Sequence, residues 1–172
     1  MNRWSAALAI TVSLLAAGCG DDTPTAPSAT QPKFTATLSG NNENPAIVGA
    51  EAGGTGTSSI TFNTTVVGGQ ITAATADFTV TISNLPAGTP INLSHIHEGA
   101  AGVNGSVRVN LALVSGEVTV GATRTVTFTK NGISMTPELA QAIMNNPAGY
   151  YFNSHSAING GGVVRGQLVR TQ

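Results

Sequence analysis

Cysteine is almost missing from this chain: one residue in 172. That excludes an intramolecular disulfide framework and every metal site built from several thiolates. Charge is scarce too, at 9% of residues against ~25% in an average soluble domain. Seven Lys and Arg face eight Asp and Glu, for a formal charge of −1. No basic field exists to neutralise a phosphate backbone, so nucleic acid is not an expected partner. The carboxylates Glu43, Glu51, Asp77, Glu98, Glu117 and Glu138 are scattered, and no two are spaced as an acid/base pair for glycoside hydrolysis. Neither a G-x-S-x-G elbow nor a phosphate loop occurs. No catalytic residue can therefore be named. What the chain does have is Gly, Thr, Val, Ala and Asn, a composition that suits strands and turns rather than long helices.

The lone cysteine follows an export signal. Arg3 supplies a positive n-region, residues 4–17 are uncharged and apolar, and small residues precede Cys19. The segment is too short and wrongly flanked for a stable membrane span. LLAAGC resembles a bacterial lipoprotein signal, which implies removal of residues 1–18 and lipidation of Cys19; the departure is Ala16 three places before the Cys, with Leu15 one place earlier. An ordinary secretory signal cut near this point is the alternative. Residues 19–32 then read as the lipidated Cys and a disordered Pro/Thr-rich tether, too poor in apolar surface to fold. Export to the cell envelope, periplasmic or surface-exposed, with attachment to the membrane through an N-terminal lipid, is the expected localisation.

From Lys33 to Gln172 the chain reads as one domain of short alternating runs. Phe34, Ala36 and Leu38 share one face, as do Phe78, Val80 and Ile82. Similar alternation occurs at Val107, Val109 and Leu111, at Val118 and Val120, and at Val126 and Phe128. Gly68-Gly69 and Asn131-Gly132 can each supply the positive φ of a tight hairpin. Thr136-Pro137 followed by ELAQAIMNN predicts one short helix near 137–145, capped by Thr136. Strands at Tyr150–His155 and Val163–Val169 close the list. The expectation is all-β: an antiparallel, Greek-key-like β-sandwich of about eight strands with that single helix.

Three histidines exist, two of them in SHIHEG. On a strand His95 and His97 project to one face with Cβ atoms ~6.5–7 Å apart. A sandwich could bring His155 beside them, and three neutral imidazoles with a water are a common set for Zn²⁺ or Cu²⁺. The bland alternative is that these rings bond turn backbone, Asn153 or Ser154, or face solvent. Glu98 could add an oxygen ligand, or cap an exposed turn. Arg165 could pair with a buried Glu such as Glu43, or lie on the surface.

FTATLSGNNENP, HIHEGAAGVNGSV and YYFNSHSAINGGGVVRGQL, in that order, resemble the three landmarks of the chordin-type (CHRD) domain, covering about Lys33 to Val169. Leu38, Gly40, Glu43, Pro45, His95, Ile96, His97, Gly99, Tyr150, Asn153, His155, Arg165, Gly166 and Gln167 occupy the matching places, and Glu43, Asn153, Arg165 and Gln167 carry the structural motif. Ser156 stands where Thr is usual, and Asn159–Gly162 replaces a Pro-x-Gly turn. The resemblance implies a β-sandwich similar to copper/zinc superoxide dismutase. It implies binding rather than catalysis, while the residues that would complete a dismutase's paired metals are missing. The absence of a catalytic constellation on a weakly charged sandwich leads to the expectation of a non-catalytic binding or structural module, with an envelope protein or glycan as the class of partner. The competing function is a mononuclear copper or zinc site at His95, His97 and His155, serving metal capture, delivery or redox chemistry.

Overall fold

The computed structural model describes residues 26–172. The signal, Cys19 and the first part of the tether lie outside the described residues.

The strands are β1 (Ser28–Thr30), β2 (Lys33–Ser39), β3 (Thr55–Val67), β4 (Gln70–Ser83), β5 (Ile91–Glu98), β6 (Val107–Asn110), β7 (Thr125–Met135), β8 (Tyr150–Ser156), β9 (Val164–Gln167) and β10 (Val169–Arg170). Every pairing is antiparallel. The path runs β6-β5-β8-β9-β2-β3-β4-β7, with β1 added to β3 and β10 to β2. β6 also touches β7, so the sheet nearly closes into a flattened barrel. Its two halves, β6-β5-β8-β9 and β2-β3-β4-β7, join between β9 and β2 by the single register pair Ser39–Arg165. This is the expected antiparallel sandwich, with its two layers linked at a corner.

Period-two alternation places the core. Phe34, Ala36, Leu38, Phe78, Val80 and Ile82 are all buried, as the sequence pattern requires. From the other half, Ile96, Phe152 and Val164 complete the same cluster, and the Phe78 and Phe152 rings lie 6.2 Å apart across it. Val118 and Val120 are buried as well, although Thr119 makes only an isolated bridge to Pro90. The helix α1 spans Pro137–Asn145. Thr136 caps it, accepting from Leu139 N–H at 3.2 Å, and it buries Leu139, Ala140 and Ile143.

Gly68 and Gly69, at φ +57° and +79°, turn β3 into β4 as expected. Asn131-Gly132 does not make a hairpin. β7 continues through it, and Asp77 faces both residues in a β-bulge, with Gly132 at φ +66° donating its N–H to Asp77 Oδ1 at 2.8 Å. The tail of the tether is extended but engaged: β1 pairs with Thr64–Val66.

Candidate metal centre

β8 breaks the alternation rule, because all seven of its residues are buried. Its inward side chains, such as Phe152 and Ser154, meet the apolar core, where Ser154 bonds Ser94 at 2.8 Å. Its outward side chains, Tyr151, Asn153 and His155, lie under loops 40–54, 99–106 and 157–162. Cross-strand register sets the rest of this outer layer. His95 stands opposite Asn153 and Asn153 opposite Arg165, while His97 faces Tyr151 and Tyr151 faces Gln167. Directly opposed residues share a face. A polar layer thus lies between the sheet and its covering loops.

The histidines come together within it. One ring nitrogen from each of His95, His97 and His155 lies within 4.8 Å of the other two. His97 Nδ1–H donates to Gly105 O at 2.9 Å, and His155 Nδ1–H donates to Gly160 O at 2.9 Å. Each bond leaves Nε2 as a lone pair. His155 Nε2 meets His95 Nδ1 at 3.3 Å, whereas the buried His97 Nε2 has no partner. Two nitrogens bound tetrahedrally at ~2.0–2.1 Å to one Zn²⁺ stand ~3.3 Å apart, so the His95–His155 separation matches one edge of such a site. Burial disfavours the charged form of all three rings and so favours the neutral imidazole, the form that ligates. It pulls His95 down to about 4, assisted by the charges His155 and His97 would carry, and it lowers His97 and His155 against the opposing pull of their carbonyl partners.

Arg165 is 1% exposed and belongs to neither ion pair found among the described residues, Glu98–Arg108 and Glu117–Lys130. The expected pairing with Glu43 is not formed, and a surface position is excluded. Its fork instead donates to Ala100 O at 3.0 Å, Val103 O at 2.7 Å and Asn104 Oδ1 at 3.0 Å, with Cζ 3.4 Å from the centroid of Tyr151. Tyr151 also stacks on His97 at 4.8 Å and 6°. Its hydroxyl accepts from Gly105 N–H at 3.2 Å, so Gly105 ties loop 99–106 to both rings. Gln167 reaches Gly99 O and Ala148 O at 3.0 and 2.8 Å.

Glu43 Oε1 accepts from Asn153 Nδ2 at 2.8 Å. Burial raises its carboxyl to about 7, opposed by the Arg165 charge and the Asn153 bond. Glu98 faces Arg108 in an exposed pair and is not part of the His cluster. Sequence reasoning missed Glu51, an isolated acid in a Gly/Ala run with no period to mark it. It is 1% exposed, and its Oε2 accepts from Ser156 Oγ at 2.6 Å and from Asn159 Nδ2. Tyr151, Gly105 and Gly160 were missed as well, since a backbone carbonyl partner leaves no mark in side-chain spacing.

The profile of the CHRD domain matches residues 34–168. The chain belongs to the CHRD domain family. Comparison with curated proteins gave no match. The CHRD match begins at Phe34 in β2 and ends at Leu168, so it takes in all three loops and the polar layer beneath them.

Proposed function

We propose that this CHRD domain is a non-catalytic binding module, exported and held to the cell envelope by lipid on Cys19, and that His95, His97 and His155 bind one Cu²⁺ or Zn²⁺. The observation that carries the metal reading is the buried, unpartnered His97 Nε2 beside two further imidazoles. Burying a lone pair without a partner is costly, and a shared cation satisfies all three rings at once. Capture or delivery of the metal in the envelope fits a site without a neighbouring nucleophile. The binding role is supported by exposed amide side chains that tie two loops together beside a surface cleft. Asn44 Nδ2 donates to Gly102 O at 2.7 Å and Asn104 Nδ2 to Asn44 O at 2.6 Å, beside a cleft of about 320 Å³ walled by Asn41, Asn42 and Gln167. An envelope protein or a glycan is the class of partner such a polar cleft would take.

Titration of the detergent-solubilised full chain with Cu²⁺ and Zn²⁺ tests the site. Submicromolar binding that weakens at least tenfold in H97A is expected, and undiminished binding in H97A overturns the ligand set. For the tether, C19A moves the protein from the membrane to the soluble fraction; unchanged fractionation overturns lipid attachment. A second reading rests on the bonds to Gly105 and Gly160: the imidazoles pin loops and bind nothing. It requires that neither metal binds.

A further inference from the structure

Two of the three imidazoles are tied to the loops that cover them, and the third is not. Gly105 O holds His97 and Gly160 O holds His155, whereas His95 Nδ1 looks only toward His155. Each carbonyl lies in a segment with its own anchors. Loop 99–106 is fixed by Arg165 and by Tyr151 Oη. Loop 157–162 is fixed by Glu51, which takes bonds from Ser156 and Asn159, while Asn159 N–H donates back to Ser156 Oγ at 2.9 Å.

The carbonyl bond is what leaves Nε2 free to ligate. A cation on Nε2 draws electron density from the ring and makes Nδ1–H a stronger, charge-assisted donor. The bond that prepares the ligand is therefore the bond that the metal strengthens. Loss of the loop releases the ring to its other tautomer and weakens the site by the same factor, because linkage between two equilibria is reciprocal.

Resting on the metal reading above, we propose that occupancy of His95, His97 and His155 and the ordering of loops 99–106 and 157–162 are one coupled equilibrium. The metal sets the loop face, including the exposed Val103 and Ile158 at 54% and 75% exposure, into a defined surface. Glu51 is a positioning residue in this scheme: it touches no imidazole and acts through Ser156, Asn159 and the Gly160 carbonyl.

Hydrogen exchange of the detergent-solubilised full chain, with and without saturating Zn²⁺, tests the coupling. Amides in loops 99–106 and 157–162 are expected to exchange at least fivefold more slowly with metal, reversibly on adding chelator, while the Gly68–Gly69 hairpin is unchanged. Binding without loop protection, or protection spread evenly over the whole chain, overturns the proposal. E51A is expected to speed exchange in 157–162 and to weaken Zn²⁺ binding roughly tenfold, whereas E51Q, which keeps an acceptor for Ser156 and Asn159, restores both. A loosened loop with unchanged affinity overturns it, and should E51A not fold, exchange on the parent chain decides alone. Absence of any binding in the preceding titration removes the metal reading itself and this proposal with it, an outcome distinct from binding without coupling.

Discussion

Arg165 shows how one buried charge can organise a surface. Its fork satisfies three acceptors from loop 99–106, and its flat face lies on Tyr151. Truncation strands those acceptors and removes the packing. R165A should therefore lose on the order of 3 kcal/mol in urea denaturation, since each of the three bonds from the buried guanidinium is worth ~1.5–3 kcal/mol before relaxation and water entry at the exposed loop. R165K should recover only part, since an ammonium cannot reproduce the planar fork. Glu43 gives a prediction in pH. Its carboxyl binds a proton more tightly in the folded chain, at about 7, than the ordinary 4.5. That contribution is fully present below pH 4.5 and is lost as pH rises through about 7. Measured against E43Q, the parent should thus become progressively less stable between pH 4.5 and 7.5; a constant difference would contradict this. The motif residues Glu43, Asn153, Arg165 and Gln167 were legible in the sequence, but their bonds were not. Alternation places Arg165 outward, and only the loops folded over that face turn outward into buried.

At the level of elements, the sequence was most readable where local chemistry acts alone. Thr136-Pro137 set the start of α1, and apolar alternation set β2 and β4, because capping and pleating are short-range effects. Asn131-Gly132 was misread for a physical reason. A hairpin turn and a bulge of this kind both need positive φ, and only the partner strand distinguishes them. The bulge predicts that G132A costs about 1 kcal/mol in thermal or chemical unfolding, since Ala at φ +66° is strained while Gly is not. β8 lay beyond such reading, for burial on both sides depends on loops up to 110 residues away, as in the Asn153–Glu43 bond.

For the whole molecule, family and architecture were recoverable from three motifs spread along the chain, while the His cluster depended on crossover topology. β5 and β8 are adjacent only because β6, β7 and α1 intervene in sequence and not in the sheet. If metal joins these elements, ~100 times its Kd of free ion adds about 2.7 kcal/mol to stability. The melting temperature should rise by several degrees and fall back on adding chelator. An unchanged melt, with binding absent, favours rings that serve only as loop anchors.

The strand β1 also gives the molecule a direction. Ser28 lies opposite Val66, so the described chain enters the sheet beside the Gly68–Gly69 hairpin, while loop 40–54 ends at Thr55, eleven residues back along β3 and about 36 Å away at the rise of a strand. Were Cys19 lipidated as proposed, its tether would join the barrel at the hairpin end, remote from the loops that cover the histidines, so membrane attachment and the candidate ligand face would occupy opposite ends of the domain.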